Sequence, residues 1–299
     1  MNLIPPNEIQ LEQIKKQEFY QSADQMDQDV TQLIEWIAKQ PHLPKIKDRK
    51  WLSHLIVGCK YSLHKAKQVV DSYFVSRAEH QEFLGSFDRD HLIEATKTGA
   101  MSVFPKLSPD GYRIVCTKTR QTVDEKFDAL CFCRANLAVL DLLLEKEPMH
   151  GIIYLYDLQY LRWSQFLVVT PTMTKNILSC CLNSFPVRIG GVHFVNPPKF
   201  ISSLVGFFKM FVSAKIKDRI FIHDSLEEFY QYIPKDVLPD IYGGTAGTME
   251  KLEKDLFEYL LSETEYLENR PIADLSKRPG QQNANNFGVE GTFKKLQID

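Results

Sequence analysis

The first third of the chain carries apolar residues at helical spacing. In residues 24–40 they recur at intervals of three and four, which is typical of an amphipathic helix. Further helices are predicted at 50–57, 63–77 and 88–97, with the turn GCKYS between the first two of these. This part of the chain is therefore predicted to be a small helical unit, followed by a loop-rich junction at 98–111.

The pattern changes after this junction, where short apolar runs alternate with helical segments. The predicted strands are RIVCTK (113–118), IIYLYD (152–157), GVHFVN (191–196) and RIFIH (219–223). The predicted helices are 127–146, 172–182, 200–214, 226–232 and 249–267. This alternation predicts an α/β fold with a mostly parallel sheet covered by helices. In such sheets ligands bind near the strand ends, beneath the covering helices.

One apolar segment stands out. Residues 200–214 contain four Phe and a Met with a single charge, Lys209. The segment is too short to span a bilayer, and it is more apolar than the surface helix of a monomer needs to be. Cations follow at Lys215, Lys217 and Arg219. This combination indicates a helix that caps an oily cavity, touches a membrane surface, or does both in turn.

Simpler interpretations exist for both features. By spacing alone, Phe207, Phe208 and Phe211 fit an ordinary hydrophobic core. The cations fit an ordinary solvated surface.

Composition narrows the class of protein. The 299 residues suffice for one large and one smaller domain, and 44% hydrophobic with 25% charged residues is ordinary for a globular protein. A net charge of −2 argues against a nucleic-acid-binding protein. The first residues lack the layout of a signal peptide, and no stretch reaches transmembrane length. We therefore expect a cytoplasmic protein.

The cysteines support the same compartment. Their spacing fits neither a secreted disulfide framework nor a CxxC motif, so we interpret them as buried thiols in a reducing environment. They are Cys59, Cys116, Cys131, Cys133, Cys180 and Cys181.

Catalytic signatures are scarce. The sequence has no Gly-rich phosphate loop, no G-x-S-x-G and no HExxH. His193 and His223 lie in predicted strands, where a structural histidine is the preferred interpretation. Asp157 ends a predicted strand, a position that suits either a catalytic carboxylate or a hydrogen-bonded cap. We expect no enzyme activity, no metal and no cofactor.

Several blocks resemble the CRAL-TRIO family of lipid-binding and lipid-transfer proteins, from about residue 30 to 262. They are WLSHLIVGCKYSLHKAK with Asp71, Tyr73 and Arg77, then DGYRI, GIIYLYDL, and SFPVRIGGVHFVNPPKF…KIKDRIFIH…LPDIYGG. The last block is the most specific, because its spacing holds over some sixty residues. The ending FGVEGTFKKLQID resembles that of insect members.

The resemblance implies a helical N-terminal domain (1–90), an α/β lipid-binding domain (91–262) and a C-terminal strap or tail (263–299). The helix at about 198–212 would be a movable gate over a cavity for one lipid. Phosphoinositide-binding members use basic residues beside this gate. The matching positions here are Arg188, Lys215, Lys217 and Arg219.

Cavity walls are expected from helix faces and strand ends around the gate. The candidates are Phe127, Leu130, Cys131, Arg134, Ala138, Tyr154, Tyr156, Leu158, Phe166, Ile177, Cys181, Phe194, Ile201, Leu204, Val205 and Phe208. Arg134 projects from an otherwise apolar helix. It could pair with Asp157, meet a polar ligand head, or face the surface.

The chain also departs from the family pattern. Val57 and Cys59 stand where arginines are usual, and Gly190 lacks a basic residue found in some members. Lys60 could partly substitute. Headgroup recognition is therefore expected to be weaker, or directed at a differently charged lipid.

The expected function is a monomeric cytoplasmic carrier that associates with membranes peripherally and reversibly. It would bind one tocopherol, retinoid, similar isoprenoid or phospholipid, and exchange it at phosphoinositide-containing membranes. The alternative is a phosphoinositide-binding trafficking adaptor or lipid sensor that acts through protein contacts. Residues 270–286 are predicted to run as an irregular strap, and the apolar positions between 287 and 298 to dock on the protein.

Overall fold

A computed structural model of the protein describes residues 1–17, 22–85, 87–121, 127–148 and 150–279. The docking predicted for 287–298 lies outside these residues, as does the end of the predicted strap. The helices of the N-terminal part are α1 (Glu8–Gln17), α2 (Ala23–Ala38), α3 (Arg49–Gly58), α4 (Leu63–Glu79), α5 (Gln81–Leu84) and α6 (Arg89–Thr98). The later helices are α7 (Ala129–Lys146), α8 (Trp163–Leu167), α9 (Pro171–Ser184), α10 (Ile201–Lys209), α11 (Ala214–Lys217), α12 (Leu226–Tyr230), α13 (Met249–Ser262) and α14 (Thr264–Glu268).

A five-stranded sheet with the order β1-β2-β3-β4-β5 forms the centre of the fold. Its strands are β1 (Gly99–Val103), β2 (Arg113–Thr119), β3 (Ile152–Asp157), β4 (Ile189–Val195) and β5 (Ile220–Ile222). β1 pairs with β2 antiparallel, and the other neighbours pair in parallel. The predicted mostly parallel α/β fold is confirmed.

Short polar side chains start most of the longer helices. Each accepts a hydrogen bond from the backbone N–H three residues on, which satisfies a donor that the helix itself leaves unpaired. These capping residues are Ser22, Asp48, Ser62, Asp88, Asp128, Thr170 and Thr248. The helix boundaries are therefore encoded locally.

Successive side chains of each strand point to opposite faces of the sheet, so the strands contact a different layer of helices on each face. Ile153 and Leu155 of β3 pack with α12 and the turns after it, through Phe229 and Leu238. Tyr154, between them in sequence, lies against the main core, to which α7 and α9 contribute. The layer with α12 is an ordinary hydrophobic core, and the candidate site lies on the opposite face, to which Tyr154 belongs.

The N-terminal helices pack directly on the sheet domain. α4 lies against α9 and α3 against α7, and both pairs share one hydrophobic core. The segment after α14 returns across these helices: Ala273 N–H donates to the Phe74 carbonyl at 3.1 Å, and Asp274 N–H to the His42 carbonyl at 2.8 Å.

The structure corrects some predictions. The junction 98–111 contains strand β1, whose five residues are all buried, because β1 forms an edge of the sheet covered by α6 and α13. The short helices α1, α5 and α8 were not predicted. The predicted helix 249–267 is divided at Glu263 into α13 and α14, and the gate helix is shorter than predicted.

No helix in the described ranges is long and apolar enough to cross a membrane.

Candidate functional site

Helix α10 lies over one end of the sheet with its apolar side inward. Leu204 and Val205 are each 5% exposed and pack against Leu158 and Phe194. We call this group the lid cluster. Its partly buried members are Tyr156, Leu161, Phe166, Val192, Phe200, Ile201, Phe208 and Ile220.

Aromatic contacts join α10 to the short helix α8. The Trp163 and Phe200 ring centroids lie 5.1 Å apart, and those of Phe166 and Phe207 lie 5.7 Å apart. The Phe207 ring also contacts the Phe211 ring, with their centroids 5.3 Å apart. α8 and α10 therefore form one apolar unit.

The floor beneath this unit is a ladder of three stacked rings. Tyr154 and Tyr156 lie two residues apart on β3, so both point to the same face of the sheet. Their ring centroids are 6.3 Å apart, and Tyr156 stacks on Phe194 of β4 at 5.4 Å. The ladder connects the main core to the lid cluster.

Four side chains at this floor are enclosed by protein, yet keep accessible surface. Burial raises the pKa of the Tyr154, Tyr156 and Cys133 side chains, and that of Cys181 to about 12. All four nevertheless remain partly accessible. A group that is enclosed by protein and yet keeps accessible surface is suited to lining an internal space.

The packing on this face of the sheet agrees with such a space. A domain usually has one contiguous core, with smaller satellite clusters beside it. Here the main core reaches Tyr154 and Cys181, and the lid cluster begins separately at Tyr156. The boundary between the two clusters, which the ladder crosses, is where such a space would lie.

The structure brings together half of the predicted cavity residues in the lid cluster. They are Tyr156, Leu158, Phe166, Phe194, Ile201, Leu204, Val205 and Phe208. Four more lie at the adjoining border of the main core, namely Leu130, Tyr154, Ile177 and Cys181.

The four other candidates lie elsewhere. Ala138 is a fully enclosed member of the main core. The Cys131 thiol is affected electrostatically by Asp128 and by Glu94 of α6. Phe127 contacts Phe132 at 5.9 Å, and the Phe132 ring lies against Gly99 of β1. Cys131 and Phe127 therefore lie toward α6 and β1.

Arg134 also points away from the lid cluster. Its Nε donates to the Glu82 carbonyl at 2.6 Å, and one terminal nitrogen lies 2.7 Å from His91 Nε2. Asp157 instead accepts from Tyr242 Oη and Asn196 Nδ2, both at 2.9 Å. The suggested pairing of Arg134 with Asp157 is absent, because the two residues face opposite directions, and Asp157 is a hydrogen-bonded cap.

The predicted headgroup cations fall into two pairs. Arg188 donates to the Val57 carbonyl at 3.2 Å, and Arg219 donates to the Ile189 carbonyl, so both arginines hold the start of β4. Lys215 and Lys217 are exposed on α11. Of the four predicted headgroup cations, the two exposed ones are therefore the lysines of α11.

An exposed apolar patch beside the lid was missed by sequence reasoning. Trp163, Leu167 and Val168 of the α8 region are 45%, 62% and 48% exposed, and Met210 at the end of α10 is 68% exposed. We call these four residues the outer patch. The helical spacing of Trp163, Phe166 and Leu167 was the sequence signal from which an apolar helix could have been predicted here. Exposed apolar residues clustered in this way are typical of interaction surfaces.

A second depression lies away from the lid. It has a volume of about 370 Å³ between α6, β1 and α13, and Leu92, Met101 and Phe257 contribute to its walls. An ion pair between Arg120 and Glu253 (2.9 Å) lies at its edge. No group of three or more His, Cys, Asp or Glu side chains in the described ranges could hold a metal ion.

Comparison with protein families assigns both parts of the chain. The CRAL/TRIO domain model matches residues 97–244, and the Pinta-like, UBA domain model matches residues 22–92. The crystal structure of Sfh5 aligns with 83% of this chain and 99% of that chain at a TM-score of 0.50. Since the identity is 15%, that likeness shows the fold alone.

Curated relatives match over most of this chain. Alpha-tocopherol transfer protein-like from Homo sapiens is 27% identical over 226 residues, which cover 74% of this chain and 66% of the relative. Clavesin-1 from Xenopus laevis is 26% identical over 234 residues, 76% of this chain and 70% of the relative. The chain thus spans just under two thirds of the length of the tocopherol-transfer-protein-like relative.

Members of the matched family bind lipophilic ligands and transfer them, and they are not enzymes. The lid cluster and the aromatic floor lie on the same face of the sheet, and all their residues fall within the range 97–244 that the CRAL/TRIO domain model matches. This chain carries a CRAL/TRIO domain at residues 97–244, preceded by a helical region that matches the Pinta-like, UBA domain model at residues 22–92.

Proposed function

We propose that this chain carries one isoprenoid-type lipid in the space beneath α10 and exchanges it at anionic membranes. The main support is the floor beneath the lid, where the Tyr154 and Tyr156 rings are enclosed by protein but remain accessible. An apolar ligand of about 400 Å² buried there would gain on the order of 10 kcal/mol before the costs of ordering it and opening the lid.

The outer patch supports exchange at a membrane. Trp163 and Met210 are exposed on the same two helices that hold the lid cluster closed. Inserting them into the acyl boundary would remove apolar surface from water and disturb the contacts that hold α10. Lys215 and Lys217 lie just beyond the lid, where an anionic leaflet attracts them.

The charge part of the proposal is tested with Lys215→Ala plus Lys217→Ala. Each cation near an anionic leaflet contributes ~1 kcal/mol, so we expect roughly 30-fold weaker binding to phosphoinositide-containing vesicles, with unchanged ligand affinity. The measurement is transfer of a fluorescent tocopherol analogue between vesicles with and without phosphoinositide. Lys45→Ala plus Lys47→Ala, which removes the same charge from an exposed loop, is the matched control. Equal loss in both double variants would contradict the role of α11.

The patch is tested with Leu167→Ser, which changes a side chain that is 62% exposed. We expect slower transfer to both vesicle types, because apolar insertion does not depend on lipid charge, and an unchanged melting temperature.

If the wild-type chain binds a lipid tightly but never exchanges it, the alternative of a lipid sensor acting through protein contacts is favoured instead.

A further inference from the structure

The two phenols on the floor differ from the other deeply buried tyrosines of the protein. Tyr73 Oη donates to Asp141 at 2.6 Å, and Tyr242 Oη donates to Asp157 at 2.9 Å. Within the part of the chain that the structure describes, the hydroxyls of Tyr154 and Tyr156 have no hydrogen-bonding protein partner. Both side chains keep accessible surface, so these hydroxyls are open to a hydrogen-bonding partner that the protein itself does not supply.

The fold itself does not need these hydroxyls. Phenylalanine would make the same ring stack with Phe194 and would leave no polar atom desolvated. The two phenols lie on the same face of β3, two residues apart, with nearly parallel rings whose centroids are 6.3 Å apart. Their position suits recognition of a ligand.

The groups beside the phenols are neutral. Cys181 is close enough to affect both phenols electrostatically, and burial keeps its thiol protonated, with its pKa raised to about 12. Arg134 is turned to Glu82 and His91, and Asp157 is bonded on the opposite face of the sheet. A charged ligand group at this position would therefore be desolvated without a counter-charge, which is costly.

We infer that Tyr154 and Tyr156 form a polar subsite for the neutral hydroxyl or carbonyl end group of a lipid. The apolar remainder of that lipid lies toward the lid cluster. The subsite excludes a carboxylate or phosphate at this end. The inference rests on the proposed carrier function and specifies its ligand class.

The test uses two lipid skeletons, retinyl and geranylgeranyl, each with a terminal alcohol, with the matching hydrocarbon end, and with a carboxylic acid. Binding is measured by quenching of tryptophan fluorescence at pH 7.4. We expect the wild-type chain to prefer the alcohol at least tenfold over both the hydrocarbon and the acid. Tyr154→Phe and Tyr156→Phe should each lower the preference for alcohol over hydrocarbon about fivefold, the usual effect of one hydrogen bond. Hydrocarbon affinity should stay the same.

Two controls separate recognition from folding. Tyr232→Phe, at a 46% exposed side chain on the other side of the sheet, should leave every ratio unchanged. Without ligand, the Tyr154→Phe and Tyr156→Phe variants should melt at or above the wild-type temperature, whereas Tyr73→Phe should melt lower because it loses the bond to Asp141.

The outcomes distinguish the two proposals. If the wild-type chain binds alcohol, hydrocarbon and acid equally, or if the phenylalanine variants lose all three equally, the subsite is wrong and the carrier function stands. If the wild-type chain binds no member of either series, the proposed isoprenoid carrier is wrong, and the subsite with it.

Discussion

At the scale of single residues, two buried histidines connect β4 to the end of β5. His193 Nδ1 and His223 Nε2 lie 2.9 Å apart, so one ring donates and the other accepts. Both are nearly inaccessible and are surrounded by the rings of Phe221, Phe229 and Tyr232. Burial lowers the pKa of His193 to about 4, and it lowers that of His223 despite the nearby Glu228 carboxylate. The pair is therefore neutral at pH 7.

This pair predicts a loss of stability in acid. A histidine whose pKa is lower in the folded state stabilises the fold above its unfolded value of 6.5, and this stability is lost as the pH falls below it. Between pH 7.5 and 5, His193 should account for a loss of about 2 kcal/mol. Urea unfolding at the two pH values measures it. His193→Gln should have a smaller pH dependence than wild type, and an identical one would contradict the assignment.

At the scale of elements, the lid helix α10 depends on tertiary packing. It has nine residues, and its first residue follows Phe200, which provides no side-chain cap. A helix this short is marginal alone in water, so the lid cluster must stabilise it. A lid that is stable only through one apolar face can open when that face finds another apolar environment.

The lid also contains an exposed glycine whose replacement is predicted to stabilise it. A methyl group at Gly206 would meet no atom within 4 Å. Gly206→Ala should therefore stabilise the helix by about 0.5–1 kcal/mol. Hydrogen exchange of the amides in 201–209 should slow a few-fold, and lipid release should slow with it if unwinding is part of opening. Unchanged exchange would show that α10 is already held as firmly as the sheet.

At the scale of the whole molecule, a buried charge cluster ties three parts of the chain together. Asp141 of α7 is fully buried and pairs with Arg77 of α4 and with Arg270 beyond α14. Tyr73 donates to the same carboxylate at 2.6 Å. The helical unit, the sheet domain and the C-terminal segment therefore share one electrostatic centre, across both predicted domain boundaries.

Removing the negative charge of Asp141 should strongly destabilise the fold. Asp141→Asn leaves two buried guanidinium groups without a counter-charge, and we expect a loss of about 3–5 kcal/mol in the free energy of unfolding. Arg278→Ala breaks ion pairs with Asp71 and Glu79 that are about one-third exposed, and it should cost less than about 1 kcal/mol. Urea denaturation compares the two variants. Equal effects would show that the cluster is not a centre of stability.

The sequence alone determined the features that depend on a few neighbouring residues. Apolar spacing located α2, α3, α4 and α6, the capping side chains set where they begin, and the β-branched runs located β2 to β5. The alternation of strands and helices predicted the α/β class, and the family blocks indicated that the apolar segment is a lid. The edge strand β1 was missed, because Gly99–Val103 is a strand only through pairing with β2 and cover from α13.

Only the tertiary structure decided the direction and partners of individual side chains. Arg134 turns toward Glu82, and backbone carbonyls accept hydrogen bonds from Arg188 and Arg219. Among the residues that the structure describes, none is a hydrogen-bonding partner of the Tyr154 or Tyr156 hydroxyl. The physical reason is distance along the chain. Periodicity records which face of an element is apolar, but hydrogen bonds and enclosed spaces form between residues 30 to 130 positions apart, which only the folded chain brings together.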